Sequence, residues 1–192
     1  FMNKILLGFT STAAAVFGVY FKLQSFIFMP VFGMNNGLIP IVAYNFGAGY
    51  RDRIVKVMKS SMAAAVVIML AGLITAELIP EQLLLLFNAS EQMLTIGVFA
   101  LRVLSLCYIF AGVSIVASGL FQGLGKSVYS LVLSVIRQLV ILIPAAYLLS
   151  LTGRLEAVWF SFPLAEIASL LVTLLYLKKT MRNLDEMIAH RT

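Results

Sequence analysis

The chain has 192 residues, of which 61% are hydrophobic and only 11% charged; soluble domains carry about 25% charge, so a water-soluble globular protein is excluded. Its net charge of +6 does not point to nucleic acid, because the lysines and arginines fall in short links between apolar segments, where they read as a membrane-orientation signal. Cys107 is the only cysteine, His190 the only histidine, and Asp52 and Asp185 the only aspartates, both outside the apolar segments; disulfides, metal sites, Ser/His triads and intramembrane aspartyl pairs are thereby excluded, and neither an enzyme nor a cofactor is expected.

The opening FMNKILLGFT reads as the end of a helix and a turn, since Gly8 and the cluster Thr10, Ser11, Thr12 carry stop and N-cap signals. A first full span is predicted over about 12–45. Residues 23–50 carry no charge at all, more than the roughly 20 residues that a helix needs to cross the hydrocarbon core. Within this stretch Pro30, Gly33, Gly37 and Pro40 stand at helix-breaking positions. Proline removes a backbone donor and clashes with the carbonyl one turn earlier, so a bent or locally opened helix is expected there. Freed backbone groups must face protein or a wet cavity rather than lipid. These four residues are therefore the candidate hinge beside a substrate path, with a purely structural kink as the alternative.

Gly47-Ala48-Gly49 signals the end of that helix, and Arg51, Arg53, Lys56 and Lys59 make the link after it the most basic one. A second span is predicted over about 54–78, stopped by Pro80, and no lysine or arginine occurs from Ser60 to Leu101. The third, about 92–123, is interrupted only by Arg102 and ends in SGLFQG. After Lys126, the fourth span, about 128–151, contains Arg137, Gln138 and Pro144. The fifth, about 157–177, contains Pro163 and Glu166, and a polar tail occupies 178–192. Five crossings put the basic links 51–59, Lys126 and the tail on one side, which the positive-inside rule makes cytoplasmic. The segment 79–92 is then outside. A first span that begins outside requires a helix before it, so an upstream span is expected, with FMNKILL as its outer end.

Charges in hydrocarbon cost at least about 2.5 to 3.5 kcal/mol on insertion scales, which makes Lys22, Arg102, Arg137 and Glu166 candidates for a substrate or ion pathway. Arg137 and Glu166 fall at similar depth, about nine residues from the inner end of one span and about ten from the outer end of the next. A structural ion pair between them is expected ahead of a proton-carrying Glu166. Lys22 and Arg102 can instead snorkel toward the outer surface. Among the neutral groups, Asn36 between the two prolines is the leading ligand contact, with Gln138 a further pathway candidate. Asn35, Asn45 and Gln122 can also bond across helices. Gly33-xxx-Gly37 and Gly119-xxx-Gly123 are expected to admit close backbone contact between helices. The nine methionines and fourteen phenylalanines suit an adaptable apolar pocket, although most are expected simply to pack against lipid.

The segment PVFGMNNGLIPIVAYNFGAGYRDRI, from Pro30 to Ile54, resembles a signature of the MATE (multidrug and toxic compound extrusion) transporters. SGLFQGLGKS is similar to the end of that family's tenth helix, and IRQLVILIPAAYLL with VWFSFPLAE to its eleventh and twelfth. The resemblance implies an all-α, polytopic helix bundle: the second lobe, from the end of helix 7 through helix 12, of a twelve-helix, two-lobe antiporter. Its implied partners are the lipid bilayer, a first lobe of the same polypeptide and small organic cations. Its implied activity is export of cationic or amphipathic compounds against H⁺ or Na⁺, as a multi-pass protein of the plasma membrane with a cytoplasmic C-terminus. No carboxylate occurs between Glu91 and Glu156, which departs from the NorM-like cation site and leaves the DinF-like branch as the nearer pattern. The rival readings are a lipid-linked saccharide flippase of the same superfamily, which would use Lys22, Arg102 and Arg137 on an anionic headgroup, and a non-transporting membrane scaffold.

Overall fold

The computed structural model describes residues 1–189, which are helical throughout apart from turns and short links. The end of the expected tail, with His190 and Arg191, lies outside the described residues. In order the elements are α1 (Met2–Leu7), α2 (Ser11–Gly47), α3 (Arg51–Leu78), α4 (Pro80–Leu85), α5 (Glu91–Ser105), α6 (Tyr108–Gly123), α7 (Ser127–Val135), a π-helical stretch (Ile136–Leu142), α8 (Ile143–Ser150), α9 (Leu155–Trp159), α10 (Ser161–Arg182) and α11 (Leu184–Ala189). Four helices are long and apolar enough to cross a membrane, namely α2, α3, the continuous run Ser127–Ser150 and Leu155–Arg182. The pair α5 and α6, bent by 45°, passes the same test taken together, as one broken span or a re-entrant loop, and is counted below as the third crossing.

The longest helix begins where the Thr10 side chain accepts a hydrogen bond from the Thr12 amide. It ends at a turn in which Gly49 takes φ +75, a conformation that glycine adopts without steric cost. Its 37 residues reach about 55 Å, well beyond a bilayer core of about 30 Å, so it must tilt or project from the membrane. It is one continuous helix through both Pro30 and Pro40, which corrects the expectation of an opening there. The irregular backbone lies elsewhere. In the third crossing the helix breaks between Ser105 and Tyr108, where the Ser105 hydroxyl donates to the Arg102 carbonyl at 2.9 Å and the Cys107 thiol to the Leu104 carbonyl at 2.8 Å. Side chains that bond the preceding turn in this way compete with the helical ladder and bend it. In the fourth crossing the ladder slips to π geometry immediately ahead of Pro144, whose ring and missing N–H disrupt the turn before it. Pro163, by contrast, sits in the first turn of α10, where a missing donor costs nothing.

The centre of the bundle is α2, α3 and α6 packed on one another. Glycines let them approach. A Cβ on Gly123 of α6 would lie 2.7 Å from Val42 Cβ and 2.9 Å from the Ile39 carbonyl of α2, and one on Gly119 would overlap the Asn35 side chain. Gly112 of α6 meets Met69 of α3 in the same manner, at 2.8 Å. Gly33 and Gly37 face open space, so the close contact expected of that pair is not made. The larger neighbours of α2 on this face are Val31, Asn35, Leu38 and Val42, all buried.

The ends of the bundle differ in character. Arg51 Nε donates to Asp185 Oδ1 at 2.8 Å and Gly49 lies against Ile188, so the basic link after α2 and the start of the tail meet at one end. At the other end, α4 seats Leu84 on Gly97 of α5.

The glycine contacts give a direct test by thermal unfolding in detergent. Gly123→Ala should destabilise by about 1 to 3 kcal/mol, because a methyl group must displace backbone as well as Val42. Gly33→Ala and Gly37→Ala should leave stability unchanged or raise it by up to about 1 kcal/mol, since alanine is the better helix former.

Candidate functional site

Polar residues are spaced along three of the crossings so that each presents a stripe to the same interior. On α6 they are Ser114, Ser118 and Gln122; on the fourth crossing Ser130, Ser134, Arg137 and Gln138; on α10 Glu166, Ser169 and Thr173. Steps of three and four residues place each set on one helical face. The wall facing them is α2, with Phe28, Phe32, Asn35, Asn36 and Ile39. Ser130 of α7 donates to the Ser118 carbonyl of α6 at 2.9 Å and pins two of the walls together.

Between these elements runs a groove made of adjoining chambers. The first, about 300 Å³, is lined by Asn35, Asn36, Ser114, Ser118, Gln122, Ser134, Arg137, Ser169 and Thr173 together with Phe32, Ile39, Ile115 and Leu133. The second, about 330 Å³, is more aromatic, with Phe21, Phe28, Phe32 and Phe162 beside Gln24, Ser25, Arg137, Gln138 and Glu166. A third, about 370 Å³, continues past Phe21, Gln138, Leu142 and Phe162 toward α1. Arg137, Phe32 and Ile115 border both of the first two chambers. Arg137 is thus the charged residue at the junction.

Arg137 Nη1 donates to Glu166 Oε1 at 3.3 Å, with the arginine side chain 32% and the glutamate 15% exposed. The contact uses one oxygen only. Glu166 Oε2 is buried without a hydrogen-bond partner, so the pair lacks the two-pronged geometry that makes arginine–carboxylate contacts strongest. Asn35 Oδ1, Ser114 Oγ and Thr173 Oγ1 are also buried and unpartnered, and all three residues line the first chamber. Polar groups withdrawn from water without a partner are costly. A chamber that gathers three of them from α2, α6 and α10 is suited to water or a hydrogen-bonding ligand.

The structure thus brings four of the six expected pathway residues to one groove: Asn36, Arg137, Gln138 and Glu166. The remaining two lie apart from it. Arg102 Nε is 3.7 Å from Glu77 Oε2, near the α4 end of α3, and Lys22 holds its ammonium 5.7 Å from the Phe87 ring centroid. Pro30, Gly33, Gly37 and Pro40 occupy the exposed stripe of α2. Sequence reasoning gave little weight to Ser114, Ser118, Ser134, Ser169 and Thr173. Their three-and-four spacing inside otherwise apolar helices was the available signal.

Comparison with known proteins places the chain. Multidrug export protein MepA of Staphylococcus aureus is 24% identical over 204 residues, covering 98% of this chain and 45% of its own length. MepA of Staphylococcus saprophyticus is 24% identical over 187 residues, covering 96% of this chain and 41% of its own. The chain therefore spans less than half the length of these curated relatives. Among solved structures, the fold matches an outward-facing multidrug resistance MATE family transporter of the MOP superfamily with a TM-score of 0.89 at 22% identity. It matches the inward-facing conformation of such a transporter with 0.88 at 20%. Each comparison covers 96% of this chain, and 42% and 43% of the other chain respectively. The MatE family profile matches residues 1–148, and with an all-helical bundle of four to five apolar spans and the same fold, this chain belongs to the MatE family of membrane transporters.

Proposed function

We propose that the chain forms one wall of a secondary active exporter, which moves cationic or amphipathic drugs or metabolites out of the cell in exchange for H⁺ or Na⁺, with a second lobe of the same polypeptide as the facing wall. The observation that carries this reading is the groove, where an incompletely satisfied Arg137–Glu166 pair separates a polar chamber from an aromatic one. An amphipathic cation suits such a surface, with its ring among Phe28, Phe32 and Phe162 and its charge toward Glu166. The name of the MepA relatives supports export of drugs. The near-equal likeness to outward- and inward-facing folds supports movement of this bundle as a unit, with access alternating between lobes. The flippase alternative is disfavoured, because Arg102 and Arg137 are both neutralised by carboxylates and Lys22 is outside the groove.

In liposomes containing the complete transporter, an imposed proton or sodium gradient should drive loss of a fluorescent organic cation. Glu166→Gln should slow that loss by about tenfold or more, the range expected when a charge-assisted contact of about 1.5 to 3 kcal/mol is removed. The double variant Arg137→Gln/Glu166→Gln removes the burden of an unpaired charge and should still fold, yet should remain slow. Wild-type flux per molecule from the double variant would assign the pair to architecture alone, and efflux indifferent to either gradient would overturn the antiport reading.

The orientation proposed is with residues 51–59 and the C-terminus in the cytoplasm. In a Cys107→Ser background, Lys56→Cys should be labelled by impermeant thiol reagents only from inside and Leu86→Cys only from outside. Labelling of position 56 in intact cells would reverse the assignment.

For α2 we propose that the stretch from Pro30 to Pro40 flexes during the cycle while remaining helical. Alanine at either proline restores a backbone donor, and a bias of about 1.4 kcal/mol toward one state already shifts a two-state equilibrium about tenfold. Pro30→Ala and Pro40→Ala should therefore lower turnover more than substrate affinity, at near-normal expression. Unchanged turnover per molecule in both would reduce the prolines to a static feature.

A further inference from the structure

A second groove lies away from the substrate route, between the last two turns of α2 and the first two or three of α3. Its walls are Ile41, Tyr44 and Asn45 on one side and Arg53, Lys56, Val57 and Ser60 on the other, around an open volume of about 380 Å³. The spacing explains why these residues meet. On α2 they are three and four apart, and on α3 likewise, so each set is one helical face.

The groove carries uncompensated positive charge. Both nearby carboxylates, Asp52 and Asp185, engage Arg51, at 3.9 and 2.8 Å, and among the described residues neither Arg53 nor Lys56 has a carboxylate partner. The Arg53 guanidinium stacks on the Tyr50 ring at 4.6 Å, which orders its plane and leaves its N–H edge available. Asn45 is only 7% exposed, donates through Nδ2 to the Ile41 carbonyl at 2.7 Å, and keeps its Oδ1 without a partner. That oxygen is itself buried, so the charge of Arg53 and Lys56 decides the ligand, which is anionic.

Depth decides what kind of anion. Arg53 is two residues from the start of α3, whereas Ile41 lies about 9 Å below the end of α2, further into the apolar part of the two helices. Charge at the rim passing into Ile41 and Val57 below fits a molecule with a phosphate at one end and an acyl chain at the other. Free phosphate would leave the apolar floor unused. We propose that this groove binds an anionic phospholipid of the leaflet on the basic side, with Arg53 and Lys56 on the phosphate and an acyl chain along Ile41 and Val57.

Phosphatidylglycerol is such an anionic phospholipid, so it is the probe. The complete transporter, purified in detergent, is titrated with phosphatidylglycerol and with phosphatidylcholine of the same acyl chains, and bound lipid is read by native mass spectrometry. Phosphatidylglycerol should be retained preferentially. Each lost charge should weaken it about fivefold, and Arg53→Gln/Lys56→Gln about 25-fold. Lys59→Gln, an equal loss of charge outside the groove, should change it less than twofold, and Arg53→Lys/Lys56→Arg should retain most of the binding. All three positions are exposed, and matching unfolding temperatures verify that the variants are folded. Equal retention of the two lipids by wild type, an equal loss in Lys59→Gln, or displacement of the lipid by millimolar glycerol phosphate would each overturn the proposal; the last would make the groove a site for soluble phosphate.

Discussion

Everything in this bundle answers to one constraint: in hydrocarbon, a charge or a backbone polar group has no water to fall back on. Arg137 and Glu166, on neighbouring crossings, are the sharpest case. Alone, either would carry a penalty of several kcal/mol at mid-membrane. Held 3.3 Å apart through a single oxygen, they are tolerated but not saturated.

The same constraint governs packing. Helices in a bilayer gain little from leaving lipid for one another, so their association rests on close surface fit. α6 supplies that fit through Gly112, Gly119 and Gly123, which admit Met69, Asn35 and Val42 to its backbone. One of these contacts also serves the groove, since the residue seated on Gly119 is Asn35, whose Oδ1 is left without a partner at the chamber wall. The architecture and the candidate site are thus joined at a single glycine.

Backbone irregularity follows a related logic. The bend between α5 and α6 and the π-helical stretch before Pro144 both depart from the ordinary ladder inside crossings, and the π-helical stretch contains Arg137 and Gln138. Both side chains line the groove. Such departures survive in membranes where protein or a wet cavity, rather than lipid, faces the exposed groups.

How much of this was legible in advance depends on whether the determining physics is local. Hydropathy and the sites of glycine, proline and basic residues are properties of short stretches, and they sufficed for an all-helical membrane bundle and for the expectation that Arg137 and Glu166 lie at a common depth; the family was legible in its motifs, from Pro30 to Ile54 and from Ser118 to Ser127. Proline identity alone did not show where the helical ladder is interrupted. Pro30 and Pro40 lie within a helix that runs on unbroken, while the fourth crossing distorts at Pro144 and the third at hydroxyl and thiol side chains. Glycine spacing was equally ambiguous, because Gly33 with Gly37 and Gly119 with Gly123 read alike, and only the second pair meets a neighbouring helix. Arg102 and Lys22 were indistinguishable from Arg137 by hydropathy, and the Glu77 carboxylate and the Phe87 ring separate them from the groove. The sequence by itself determined which segments are long and apolar enough to cross a membrane, since that depends on the composition of each segment alone. The tertiary structure decided which polar side chains share a cavity and which glycines touch, because helix rotation and neighbour identity are set by pairwise fit between segments far apart in the chain.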